Sequence, residues 1–346
     1  MTLFERHQQL GAQFIERDGF KLPGSFGDLH AEYDAMYFGA GLIDLAHFST
    51  LRVEGADRVN WLHKLVTANI QALPGGGLEH GLLLNPKGHV VADFDLLRLP
   101  DTLLLYTSSS AKSKLIPQLR RAIFREKVTL DGEVDLAVLS LQGPEAEQVL
   151  TRTLGPEAAP RASGFSTSKF FDSDLLIVSN PRVQAGGIDL LVERRHLEIL
   201  WDMLVSRDAK PIGLGALNSA RIEAGIAWYG DDFDETMLAP EARLDEFVAE
   251  NKGCYTGQEV IARIKNRGHV NRMLTQFRVE GTVVPERGDL IIVDEKEAGW
   301  ITSAAWSFEN DKPCALGYLR REASEPGSAV QIAHGEIRLN AAVKIE

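Results

Sequence analysis

Thiols are scarce in this chain. Two cysteines in 346 residues, Cys254 and Cys314, are too few for a disulfide framework and too few to build a tetrahedral zinc or iron–sulfur site from this chain's thiolates alone. No self-contained metal centre is expected. Long apolar runs are missing too: nowhere do about 18 uncharged apolar residues follow one another. The start, Met1-Thr2-Leu3-Phe4-Glu5-Arg6-His7, lacks a basic region leading into an apolar one. The expectation is a cytoplasmic protein that does not cross a membrane. Positive charge is in deficit, 37 basic against 49 acidic residues for a net charge of −12, which argues against phosphate-driven nucleic-acid binding as the main task. A tRNA-binding role through the basic stretch Arg263–Arg272 stays as a minor alternative, because a solvated helix end explains the same charges. Also absent are a P-loop, a Gly-x-Gly-x-x-Gly turn after a first strand, a His-Glu-x-x-His pair and a Gly-x-Ser-x-Gly elbow.

What is present is an ordinary globular composition, 44% hydrophobic, in a chain long enough for two or three cores. Strand-like and helical runs alternate from the start, which gives an α+β class. The clearest hairpin spans Gly81 to Leu99, where Asn85-Pro86-Lys87-Gly88 puts Asn, Pro and Gly at turn positions that favour them. From about Met273 onward, short β-rich runs separated by Gly, Pro and acidic turns predict a small antiparallel barrel or sandwich. The expected division is therefore 1–272 and 273–346.

Three groups of residues invite chemistry. The first is Lys252-Gly253-Cys254-Tyr255-Thr256-Gly257-Gln258-Glu259. Thr256 and Glu259 have capping-box spacing, so a helix is expected to open just after Cys254, and a helix start with Lys252 nearby would favour a reactive thiolate. The plain alternative is a small buried residue in a tight turn. The second is Glu223, in the last turn of a helix expected over Ala216–Ala224, where the helix dipole disfavours a carboxylate by about 0.3–1 kcal/mol. Its two oxygens match a pair of parallel N–H donors, on a ligand or on an arginine of another element. Trp228 and Tyr229 follow and offer flat surface for a ring, although an aromatic pair is more often core. The third is Asp93, which shares one side of its strand with Asp95; a solvated sheet face explains it equally well.

The segments Gly41–His47, Leu84–Gly88, Leu141–Pro144, Gly213–Ala216, Arg221–Gly225 with Tyr229-Gly230, and Cys314–Tyr318 resemble the folate-binding aminomethyltransferase superfamily, which includes the T protein of the glycine cleavage system and the YgfZ-type iron–sulfur maintenance proteins. Lys252–Glu259 resembles the signature of the YgfZ-type branch. The resemblance implies a folate-binding region of two interlocked, discontinuous parts over 1–272, followed by a C-terminal β-barrel. It implies tetrahydrofolate or a derivative as cofactor, with Glu223, Tyr229, Trp228 and Asp93 as binding residues. Asp93 would hold the second place of an acidic pair whose first place is Ala92 here, and the Tyr-Thr-Gly-Glu-like stretch expected before residue 188 is replaced by Asn180–Gly187. The expectation is therefore a folate-binding protein that supports assembly or repair of iron–sulfur proteins, its transient clients, with Cys254 and Asp93 as the reactive residues. A folate-dependent aminomethyl or demethylating transferase is the main alternative.

Overall fold

The computed structural model describes residues 1–132 and 134–344. The chain forms two compact units: residues 1–81 with 93–217, and residues 82–92 with 218–346. The α+β expectation holds, and the second unit contains a closed antiparallel barrel.

In the first unit a six-stranded sheet runs in the order Phe165–Phe170, Ser173–Ser179, Gly187–Glu193, Leu136–Gln142, Gly41–Asp44, Lys210–Pro211. Helices Ala146–Leu154 and Leu197–Val205 pack on one face of the central strands, joining Val149, Leu150, Leu200, Trp201 and Leu204 to the alternate residues Leu139, Leu141, Leu190 and Val192. A five-stranded sheet follows the order Leu78–Leu84, Val90–Arg98, Leu103–Ser108, Phe48–Glu54, Thr129–Asp131. Residues 82–92 of its first hairpin group with the second unit. As expected, Asn85-Pro86-Lys87-Gly88 forms the turn: Gly88 N–H donates to Asn85 O at 2.9 Å, and Asn85 Oδ1 accepts from Lys87 and His89 N–H.

In the second unit the strands Arg272–Val279, Lys312–Arg320, Lys296–Ser307, Leu290–Val293, Ala329–His334 and Ile337–Val343 close into the barrel. Phe277, Ile291, Ile301, Leu319 and Ile332 fill it. The pairing of Lys296–Ser307 slips by one residue between Ile301 and Ser303. Such a bulge lets consecutive side chains, Thr302 and Ser303, serve the same polar cluster.

One local expectation is corrected. Thr256 does not cap the helix after Cys254. The helix spans Gln258–Arg267 and its N-cap is Gly257, left-handed at φ +83° with no side-chain cap. A Cβ on Gly257 would lie 2.7 Å from Asn85 O, so the tight approach of the hairpin turn claims this position for glycine and moves the helix start beyond Thr256.

Candidate functional site

The strand Val90–Arg98 buries Val90, Ala92, Phe94 and Leu96 and turns Asp93 and Asp95, both of the first unit, to the other side. That side is no solvated face. Asp95 is only 12% exposed and forms an ion pair with His80 from the neighbouring strand. Asn180 Nδ2 donates to Asp95 Oδ2 at 3.0 Å, to Tyr106 Oη at 2.8 Å and to Asp189 Oδ2 at 2.9 Å. Asp189 is fully buried and accepts a bidentate pair from Arg182, Nε at 3.0 Å and Nη2 at 2.6 Å, together with the Ser140 hydroxyl at 2.6 Å. The Arg182 guanidinium lies 4.6 Å from the Phe48 ring centroid.

These contacts divide the two strand carboxylates. Burial tends to raise Asp95, but His80 and Arg182 outweigh it and hold its carboxyl below the usual carboxylate range. Burial and then the negative charge of Asp95 push Asp93 up to about 6, with Arg182 and His80 opposing more weakly. Asp93 keeps part of its surface open. Two acids on one strand face thus differ in proton affinity, an arrangement that lets one hold a proton more readily than its neighbour.

In the second unit the helix Leu214–Glu223 ends at Gly225, φ +74°. Ile226 N–H reaches back to Arg221 O and Gly225 N–H to Ile222 O, a Schellman ending that fixes Glu223 in the last turn. The Glu223 side chain is buried. Glu309 N–H approaches its Oε1 at 3.5 Å, while its main-chain carbonyl accepts from Gln276 Nε2 and Lys344 Nζ. Those two donors answer the helix end's need for hydrogen bonds. Arg221 turns away from Glu223, as its spacing predicts: it meets Asp232 at 2.5 Å, Ser303 Oγ, Ile226 O and Asn218 Oδ1, and lies 4.4 Å from the Trp228 ring centroid. Thr302 donates to the other Asp232 oxygen. One face of Trp228 is therefore covered. Tyr229 is buried, its hydroxyl donates to Val91 O at 2.7 Å, and its ring meets Phe233 edge-on. It has the contacts of a core residue.

The motif around Cys254 is a built loop. Tyr255 is buried, Lys252 Nζ lies 5.1 Å from its ring centroid, and Gly257 packs on the Asn85–Gly88 turn. Cys254 itself is exposed, which rules out the buried-turn alternative, whereas Cys314 is buried and its thiol is pushed up to about 12, by burial first and Glu223 second. Three residues, Tyr255, Thr256 and Gly257, separate Cys254 from the first helical residue, so Cys254 lies outside the first turn, where the helix dipole acts. Among the described residues no group of three or more His, Cys, Asp or Glu could hold a metal ion. Within that same set no helix is long and apolar enough to cross a membrane.

Arg182, Asp189, Asn180, Tyr106 and His80 do not stand out in the sequence. Asp189 carried the one available signal, a single acid inside the apolar run Ile188–Val192.

An α+β region followed by a closed six-stranded barrel defines a class that the comparisons identify. The model of the GCVT N-terminal domain matches residues 3–252, and that of the glycine cleavage T-protein C-terminal barrel domain matches 272–345. The chain belongs to the glycine cleavage T-protein family. An aminomethyltransferase of Chlorobium chlorochromatii is 28% identical over 342 residues, covering 96% of this chain and 93% of the relative; one from Rubrobacter xylanophilus is 28% identical over 337 residues, covering 95% and 89%. The solved glycine cleavage system aminomethyltransferase T of Bartonella henselae has a TM-score of 0.92 at 22% identity, covering 100% of this chain and 96% of that one, and so shares the fold. Tetrahydrofolate and its derivatives are the cofactors of this family, and an enzyme of this kind is a folate-dependent aminomethyl transferase.

Proposed function

We propose that this protein binds tetrahydrofolate and transfers a one-carbon unit, with Asp93 as the group that holds and releases the proton. The carrying observation is the division of the strand acids, Asp93 raised to about 6 beside an Asp95 kept ionised by His80. A general acid or base works best when its pKa lies near the operating pH. Tetrahydrofolate supplies ring nitrogens that carry the one-carbon unit. The donor chemistry fits such a heterocycle, since a nitrogen-rich ring edge presents N–H groups that only acceptors can answer. The second unit offers Glu223, whose buried carboxylate has two acceptor oxygens. Trp228, partly exposed, can offer ring surface, and Tyr229 only its ring, because its hydroxyl donates to Val91 O. Asp95, His80 and Asn180 act through Asp93, fixing its charge environment.

Calorimetric titration with tetrahydrofolate tests the binding claim. The wild type is expected to bind and Glu223→Ala to bind at least tenfold more weakly; no binding by the wild type would remove the proposal.

A second reading is favoured by Cys254. An exposed thiol in a loop whose packing rests on Tyr255 and Gly257 has no structural duty there. Together with Ala92 in place of the first strand acid, it supports the YgfZ-type role, a cytoplasmic folate-binding protein that helps assemble or repair iron–sulfur clients, with partner ligands needed because one thiolate cannot hold a cluster. Loss of client iron–sulfur enzyme activity in Cys254→Ala cells under oxidative stress, with one-carbon transfer intact, would make this reading the better one.

A further inference from the structure

The helix Ser109–Arg121 and the loop after it oppose the charge of the rest of the chain. From Ser109 to Val128 there are six basic residues, Lys112, Lys114, Arg120, Arg121, Arg125 and Lys127, against the single acid Glu126, in a chain of net charge −12. Ala111, Leu115 and Leu119 bury one face of the helix, so Lys114, Gln118 and Arg121 share the outward face. None of Arg120, Arg121, Arg125 and Lys127 forms an ion pair within the described residues. In their midst Phe124 is 84% exposed.

This loop is held firmly. The Trp61 indole N–H donates to Ala122 O at 3.0 Å, the Asp57 carboxylate accepts from Lys127 N–H at 2.7 Å, and the Glu126 carboxylate accepts from Phe124 and Arg125 N–H at 2.9 and 3.0 Å. Glu126 Oε2 thus takes both backbone donors, and the carboxylate forms no ion pair with the neighbouring cations within the described residues. A Cβ on Gly55 would lie 2.0 Å from Lys127 O, so the loop also sits tightly against its neighbour strand. An aromatic ring held out on a fixed loop costs little entropy to dock, and an aromatic ringed by arginine is the composition of an interface hot spot.

We propose that Phe124 and the cations around it form a docking surface for an acidic protein, the ring entering an apolar socket on the partner and Arg120, Arg121 and Arg125 meeting carboxylates at its rim. A single-stranded nucleic acid is the less favoured occupant, because stacking along a strand needs successive aromatic platforms and this surface has one, while the chain's net negative charge repels a polyanion at long range. This inference goes beyond the folate chemistry and does not depend on it.

The test uses the full chain with p-benzoylphenylalanine in place of Phe124, irradiated in cells of its source. Phe38, 78% exposed in the same unit and with no lysine or arginine within ten residues of it in the sequence, is the control position. One dominant adduct with an acidic protein is expected at 124 and not at 38. With that protein purified, Phe124→Ala and the double change Arg120→Glu/Arg121→Glu should each weaken binding at least tenfold, and affinity should fall with rising salt. No dominant adduct, an adduct with RNA or with a second copy of this chain, or affinities unchanged by both variants would overturn the proposal.

Discussion

Each unit buries an arginine–aspartate pair, and the two pairs end differently. In the second unit Arg221 and Asp232 are almost fully enclosed, and Ser303, Thr302, Asn218 and Ile226 answer the surrounding donors and acceptors. The cluster closes on itself and ties the helix end to the barrel strand Lys296–Ser307. In the first unit Arg182 and Asp189 begin a chain of contacts that runs through Asn180 to Asp95 and His80, whose charges act on the neighbouring Asp93, a carboxyl with raised proton affinity and partial access to solvent. A closed network stabilises and specifies; an open-ended one leaves a group with something still to do.

That contrast can be broken from the largest effect downward. Arg221→Ala would leave Asp232 buried without its cation and should destabilise the protein by about 3–5 kcal/mol in urea unfolding. Arg182→Ala should cost less, about 3 kcal/mol, because Asn180, Ser140 and Tyr106 still serve Asp189. Equal costs would mean that the first network is as closed as the second. Asp93→Asn should act in the opposite direction. An acid raised from 3.8 to about 6 in the folded state binds its proton more tightly than in the unfolded chain. It therefore costs nothing below pH about 4, and the cost grows as pH rises toward 6 and is complete above that, at most about 3 kcal/mol. The variant should gain that much stability at pH 8 and nothing at pH 4, while losing one-carbon transfer. A gain independent of pH would remove the raised carboxyl from the account. The smallest effect concerns the thiols: one equivalent of an alkylating reagent should react with the native protein, and none with Cys254→Ala, since Cys314 is buried with its thiol pushed up to about 12. Two reacting thiols would mean that the barrel opens readily.

Much of this architecture was legible in the residues. The Asn85–Gly88 turn, the helix stop at Gly225 and the β-rich run after residue 272 are written in local turn chemistry and period-2 patterning, which need no tertiary information. The capping box at Thr256 failed because a long-range contact, the approach of the hairpin turn to Gly257, decided where the helix begins. The site was legible in part. Asp93, Asp95 and Glu223 are visible as acids in places that need explaining. Which of the two strand acids keeps a proton depends on His80, Asn180 and Arg182, brought together by strand pairing and by a loop about 90 residues away, and no local pattern encodes that. The exposure of Cys254 and the raised proton affinity of Asp93 are likewise tertiary outcomes, set by what packs around each side chain.

The most direct test measures one-carbon transfer to tetrahydrofolate from an aminomethyl donor as a function of pH, for the wild type, Asp93→Asn and Cys254→Ala. The rate is expected to change through an inflection near pH 6 in the wild type and in Cys254→Ala, and to fall by about 10²-fold or more in Asp93→Asn, as removal of a general acid or base requires. Absence of transfer by the wild type, or a loss confined to Cys254→Ala, would contradict the assignment of Asp93.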